Sequence, residues 1–353
     1  MLYQTKNPHG GDVYGEEILL DFSANTNPLG TPPGVLAAVE ESLAQLHRYP
    51  DPYCRKLVRA ISEFEQVPEN WILCGNGAAE LIYAYCQSIG AKRAVELAPT
   101  FSEYSLALEQ AGCAVSRYVL SKERNFVLDR DFLTFLDREK PDAVFLCSPN
   151  NPTGQTVPRQ LLLEILRYCA EQGIRLFVDE CFADLSDRQE SLKGELADNP
   201  QLFLLRAFTK SYGMAGLRLG FCMSSDGNLL GSMAKAAQPW NVSTPAQEAG
   251  IAALREREFL EKTRHLIGIE RPWLKKQLEK LGFWVCPSQA NYLLFSGPAG
   301  LDAELRKRGV AVRSCANYHG LGSGWYRVAV RRREENEALV QMLREELERS
   351  CHG

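Results

Sequence analysis

Apolar and polar positions follow two rhythms along this chain, and the change falls near Pro239. Before it, short apolar runs at 94–98, 143–147, 176–178, 202–205 and 219–223 are mostly separated by helix-period patterns such as 102–111 and 159–172. Strand, helix, strand at this spacing predicts a mostly parallel sheet covered on both faces. Such sheets bind ligands beyond the carboxyl ends of their strands. Residues 35–46 and 57–64 predict amphipathic helices, and 1–33, rich in Gly, Pro and Asn around an apolar stretch at 18–22, reads as an irregular arm. After Pro239 the pattern predicts a long helix over 245–281, then short strands at 284–286 and 292–295. A helix at 302–308, strands at 310–313 and 326–330, and a last helix from Glu334 complete it. The expected fold class is α/β with a smaller α+β partner: an arm over 1–33, a large domain over 34–244 and a small one over 245–353.

Composition narrows the class. With 353 residues, 45% of them hydrophobic, the chain can bury a large core. A net charge of −4 with no basic block argues against nucleic acid or anionic membranes as partners. No apolar run approaches the roughly 20 residues that span a bilayer. The first 17 residues lack an apolar signal-peptide core, so a cytoplasmic protein is expected. The eleven cysteines lie singly, several inside apolar runs, and read as reduced buried thiols. Neither they nor the five histidines have metal-ligand spacing, so no metal is expected. Cys351-His352 reads as a frayed tail.

Four segments carry candidate chemistry. In Phe208-Thr-Lys-Ser-Tyr-Gly-Met-Ala-Gly-Leu-Arg-Leu-Gly220, Lys210 follows an apolar run and precedes a glycine-punctuated loop, so its stem can reach from a strand end into a cleft. An amine that attacks a carbonyl must be partly neutral, which desolvation and a nearby cation achieve. Arg218 can supply that cation and a two-pronged grip on phosphate. Taken alone, Lys210 reads more readily as a solvated surface lysine. Ser148-Pro-Asn-Asn-Pro-Thr-Gly154 is either an ordinary turn or a rigid loop presenting Asn151. Asp179, closing the run 176–178, either caps a turn or pairs with a protonated pyridine nitrogen. That bond is worth about 1.5–3 kcal/mol and makes the heterocycle an electron sink. Gly75-Asn-Gly-Ala-Ala-Glu80 suits an anion at a helix N-terminus but lacks the third glycine and later acid of a dinucleotide site.

As an ordered set, Asn-Pro-Thr-Gly, Asp-x-x-Phe and Thr-Lys with an arginine eight residues later resemble the fold-type I pyridoxal-5′-phosphate (PLP) enzymes of the aspartate aminotransferase superfamily. The resemblance implies that Lys210 holds the cofactor as a Schiff base and shuttles protons. Asp179 would pair with the ring nitrogen, and Asn151 with the ring's phenolic oxygen. Tyr104, in Pro99-Thr-Phe-Ser-Glu-Tyr104, would stack on the ring. Thr209, Arg218 and the Gly77 and Ala78 amides would bind the cofactor phosphate. Tyr49, in Arg48-Tyr-Pro-Asp51, would reach that phosphate from a neighbouring subunit, implying a homodimer with shared sites. Phe182 stands where relatives usually carry Tyr, and Ala207 where many place a phosphate-binding hydroxyl.

In this chemistry the bond at Cα that breaks is the one held perpendicular to the ring, so the residues gripping the substrate's anionic groups choose the reaction. Arg313 and Arg327 are the candidates, each with a structural ion-pair reading beside it, while Arg331, Arg332 and Arg333 read as a solvated strand-to-helix junction. His9-Gly-Gly11, Leu20-Asp-Phe-Ser-Ala-Asn-Thr-Asn-Pro-Leu-Gly30, Pro239-Trp240, Arg313-Ser-Cys-Ala-Asn-Tyr318 and Tyr326-Arg-Val-Ala-Val-Arg331 resemble the threonine-phosphate decarboxylases. That implies decarboxylation of L-threonine O-3-phosphate to (R)-1-aminopropan-2-yl phosphate in cobalamin biosynthesis. His9, Gly10, Asn25, Asn151, Arg313 and Arg327 would then bind substrate, Arg327 at the carboxylate and Arg313 with the His9 arm at the phosphate. The alternatives are a histidinol-phosphate aminotransferase, a serine-phosphate decarboxylase, or a non-catalytic regulator of the same fold. The last would carry a DNA-binding module or lose the lysine.

Overall fold

The computed structural model describes residues 9–187 and 190–352, without the side chains of 350–352. The first eight residues of the expected arm and the Cys351-His352 side chains therefore lie outside the described residues. Strand β1 (Leu20–Asp21) belongs to the arm. Strands β2 (Ile72–Gly75), β3 (Arg93–Ala98), β4 (Ala114–Val119), β5 (Ala143–Cys147), β6 (Arg175–Asp179), β7 (Leu202–Ala207) and β8 (Gly220–Met223) form a seven-stranded sheet. Its order is β2-β8-β7-β6-β5-β3-β4, parallel throughout except for β8, which runs against both neighbours.

Helices on both faces explain why the central strands read as unbroken apolar runs. Val144, Leu146, Leu176, Val178, Leu202 and Leu204 enter one core. The intervening Phe145, Phe177, Phe203 and Leu205 enter a second on the opposite face. There Phe145, Phe177 and Phe203 stack at 4.7 and 5.1 Å, with Tyr85 of the helix Gly77–Ile89 against Phe203 at 4.4 Å. Burying each such ring stabilises the sheet by about 1.5–3 kcal/mol.

Beyond Pro239, β9 (Trp284–Val285), β10 (Tyr292–Ser296), β11 (Val310–Ala311), β12 (Arg313–Ser314) and β13 (Trp325–Ala329) follow. Four of them make an antiparallel sheet in the order β12-β13-β10-β9. The single strand expected at 310–313 is divided. The arm takes Val310 and Ala311 as partners of Leu20 and Asp21, with Phe22 N donating to Ala311 O at 2.8 Å. After Val312, Arg313 crosses to β13.

The helix expected over 245–281 is likewise two, Thr244–Ala253 and Arg257–Lys280. No Gly or Pro marks the break. Arg255 and Glu256 donate to carbonyls only three residues back, and Glu256 leaves helical geometry at ψ 50°. Strand β4 and the helices Asp131–Glu139 and Gly227–Ala236 are additions to the sequence expectation. β4 is an edge strand of mixed polarity, half-exposed along its length.

Arg331 and Arg333 do not form a solvated junction. Arg331 Nη2 donates to Asp21 O at 2.6 Å and Ala24 O at 3.3 Å, tying the arm to this junction. Arg333 pairs with Glu270 at 3.0 Å and lies 4.3 Å over the Trp273 ring. The exposed Arg332 donates to Pro28 O at 3.3 Å. Among the described residues all ten cysteines are free and buried, and no helix is long and apolar enough to cross a membrane.

Candidate active site

A cavity of about 340 Å³ opens where β5, β6 and β7 end. Asp179 is the last residue of β6, Asn151 lies in the loop after β5, and Lys210 sits in the single turn Phe208–Ser211 after β7. All three side chains line the cavity. Asp179 accepts from the Cys181 amide at 2.8 Å and from the Tyr104 hydroxyl at 2.6 Å. Burial pushes its carboxyl above the ordinary aspartate value, and these bonds pull partly back.

Lys210 is lowered to about 8, first by burial, then by the Arg327 guanidinium, with a smaller push from Arg218. About a tenth of the amine is then neutral at pH 7, far more than an ordinary lysine offers, as nucleophilic chemistry requires. Nζ stands 5.9 Å from the centroid of Phe182, which packs edge-on against Tyr292 at 5.0 Å. That side of the lysine is an apolar wall.

At one end the cavity is built for an anion. Gly77 opens the helix Gly77–Ile89 with φ +81°, and a Cβ there would lie 2.6 Å from Arg218 Nη2 and 3.0 Å from its Cζ. Only glycine lets the guanidinium lie across this helix N-terminus. Arg218 itself holds φ 57°. Ala78 and Thr209 also line the cavity.

The other end is set by strand register. Arg313 and Arg327 are direct partners across β12 and β13. Like charges placed opposite each other repel, and these two face one cavity. Arg327 donates to Asn151 Oδ1, and to Ser23 O at 2.7 Å. Arg313 bonds to Ser314 O, and to Asn317 Oδ1 at 2.7 Å. The Asn25 amide is buried at 1% exposure, and neither of its polar atoms has a partner. Such an arrangement costs free energy unless a ligand completes it. His9 Nε2 lies 2.9 Å from Glu103 Oε1, and this bond is the main reason the Glu103 carboxyl is held below its ordinary value. Gly10 is required sterically, since a Cβ would meet Ser23 O at 2.2 Å.

Lys210, Asp179, Asn151, Tyr104, Thr209, Arg218, Ala78, His9, Gly10, Asn25, Arg313 and Arg327 thus line one cavity, with Gly77 beneath Arg218. Tyr49 stands apart. It is 78% exposed on the surface, stacked on Trp240 at 4.6 Å. Among the lining residues that sequence reasoning left without roles are the polar Tyr318, Glu103 and Ser23. Tyr318 donates to Asn151 Oδ1 at 3.4 Å and lies beneath Arg313 at 5.1 Å. Its signal was its place at the end of the run that begins with Arg313.

The model of the family Aminotransferase class I and II matches residues 17–343. A threonine-phosphate decarboxylase of Salmonella typhimurium is 37% identical over 95% of each chain. A histidinol-phosphate aminotransferase of Desulfitobacterium hafniense is 34% identical over 92% of this chain and 91% of its own. The solved histidinol-phosphate aminotransferase of Clostridium acetobutylicum superposes with a TM-score of 0.86 at 28% identity, covering 93% of this chain and 98% of that one.

Proposed function

Because the chain belongs to the class I and II aminotransferase family, we propose that it is a PLP-dependent decarboxylase acting on L-threonine O-3-phosphate. The products are carbon dioxide and (R)-1-aminopropan-2-yl phosphate, an intermediate of cobalamin biosynthesis. The observation that carries this reading is the pair of opposed arginines, Arg313 and Arg327, in a cavity that also holds the lysine. A substrate with a carboxylate at one end and a phosphate at the other relieves their repulsion.

The residues present fit PLP, whose aldehyde, ring nitrogen, phenolic oxygen and phosphate each need a partner. Lys210 offers a partly neutral amine, Asp179 a buried carboxylate, and Asn151 an amide. Thr209, Arg218 and the start of the Gly77 helix make an anion cradle, and Tyr104 completes the wall. When bound, the cofactor supplies an electron sink for the substrate's Cα.

The remaining work belongs to the chain. Arg327 holds the substrate carboxylate, while Arg313 and His9 hold the phosphate. Together they would fix how the bond from Cα to the carboxylate is presented for cleavage. The carboxylate leaves as carbon dioxide, and Cα takes one proton in its place. Lys210 Nζ, whose proton affinity lies near neutral pH, holds that proton. Asn25 and Tyr318 close the space around the substrate against water. Tyr49, outside its own cavity, reaches a partner subunit's cofactor phosphate, so the enzyme works as a homodimer. The reduced, buried cysteines support a cytoplasmic location.

Histidinol-phosphate transamination is the second reading, favoured by the 34% identical relative. The two differ in products. Threonine phosphate supplied without 2-oxoglutarate is expected to release carbon dioxide and amine with the PLP form retained. A requirement for 2-oxoglutarate with no gas release refutes the decarboxylase. Serine phosphate, one methyl group smaller, is expected to be discriminated by only about 1–3 kcal/mol.

A further inference from the structure

The chain neighbours of Asp179 and Lys210 are tied into one buried line of charges. Glu180, next to Asp179, is 2% exposed, Arg206 on β7 is 7% exposed, and Ser211, next to Lys210, is fully buried. Arg206 Nε lies 3.0 Å from Glu180 Oε2, and its Nη1 donates to Asp184 Oδ1 at 2.9 Å. The other oxygen of Asp184 accepts the Ser211 hydroxyl at 2.8 Å. Both ends are anchored. Glu180 accepts from Ser191 Oγ at 2.7 Å and from Leu192 N at 3.1 Å. Ser211 O accepts the Asn27 amide at 2.7 Å, and Asn27 in turn donates to Thr263 at 2.9 Å.

Burying such a network stabilises the fold little, because desolvation offsets most of the attraction, and an apolar set of similar volume would serve as well. What it supplies is geometry. The ends of β6 and β7 are already laddered, with Glu180 N donating to Leu205 O at 2.9 Å, and the side-chain line adds a second tie that runs through the turn at Asp184 to the Lys210 turn. A displacement of about 1 Å at a reacting group costs on the order of a hundredfold in rate.

We propose that Glu180, Arg206, Asp184 and Ser211 form a positioning bridge that fixes the Lys210 amine against the Asp179 carboxylate. These are positioning residues, since none of the three contacts through which the bridge acts reaches the cavity groups directly. The inference rests on Lys210 carrying the cofactor, not on which substrate is used.

The test compares Asp184→Ala and Ser211→Ala, which cut the bridge, with Asp184→Asn, which keeps a partner for both Arg206 and Ser211. Asp184 is partly exposed, so its variants are expected to fold where an Arg206 deletion would strand the buried Glu180. Each PLP-loaded protein is examined at full cofactor occupancy by visible circular dichroism of the bound cofactor and by steady-state kinetics on threonine phosphate. The bridge predicts that both cuts lower kcat about tenfold with KM within about twofold, and reduce the dichroic band by about half. Asp184→Asn retains the wild-type values. If both cuts lower only the melting temperature and leave the band intact, or if Asp184→Asn is as damaged as Asp184→Ala, the bridge is structural or electrostatic and the inference fails. Should the wild-type protein release no carbon dioxide, the substrate reading fails while the dichroic band still decides the bridge.

Discussion

Replacing Gly77 by alanine separates two consequences of one added methyl group. The glycine holds φ +81°, where an L-residue pays about 1–2 kcal/mol. That strain is present with or without cofactor, so it lowers the melting temperature and leaves binding untouched. The second consequence is steric. The new Cβ would sit 2.6 Å from Arg218 Nη2 and 3.0 Å from Cζ, so the guanidinium must leave the helix N-terminus. Losing a charge-assisted grip on the cofactor phosphate costs about 1.5–3 kcal/mol, or roughly 10- to 100-fold in Kd. Absorbance titration of cofactor-free protein with PLP measures this directly, and thermal melts of the same samples report the strain. Gly77→Ala is expected to weaken PLP binding within that range and to lower stability. A Kd within about twofold of wild type would refute the placement of Arg218 at the phosphate.

Three further outcomes follow from the same geometry. Arg327→Lys keeps the charge but loses the fork that reaches Asn151 and Ser23, so KM for threonine phosphate should rise about tenfold or more; an unchanged KM places the substrate carboxylate elsewhere. In the cofactor-free protein Lys210 titrates at about 8 against an ordinary 10.5, so between those values the folded chain binds fewer protons than the unfolded one and stability rises with pH. Below pH 8 the full penalty of burying the ammonium is present, up to about 3 kcal/mol, so Lys210→Met should stabilise the cofactor-free protein at pH 7 and much less at pH 10.5 in urea titrations; an equal effect at both contradicts the assignment. Tyr49→Phe should weaken PLP binding by about 1 kcal/mol, roughly fivefold, with the dimer intact by sedimentation; unaltered binding removes Tyr49 from the partner's site.

How much of this was legible in the sequence depended on whether local pattern or tertiary partner set the outcome. Strands β5, β6 and β7 were plain because both faces are buried, which leaves mainly apolar residues to read. Asp179, Asn151 and Lys210 were legible because each stands at a strand end in a motif of unusual composition. β4 was not, because this half-exposed edge strand carries three consecutive polar or amphipathic residues, Ser116, Arg117 and Tyr118, between its valines. The division of 310–313 between β1 and β13 is a competition for backbone partners, invisible in residue type. Arg331 and Arg333 look like surface residues in sequence, and only the carbonyls of the arm and the buried Glu270 give them structural work. Tyr318 and Glu103 escaped for a related reason. Each lines the cavity, but its role depends on a tertiary partner that residue type does not reveal, Asn151 for Tyr318 and His9 for Glu103.

Every role assigned above hangs on which amine takes the cofactor. Protein loaded with PLP, reduced with borohydride, digested and mapped by mass spectrometry is expected to carry the cofactor on the peptide that contains Lys210, and Lys210→Ala to carry none and release no carbon dioxide from threonine phosphate. Cofactor fixed on a different lysine, or turnover that survives Lys210→Ala, would contradict the account.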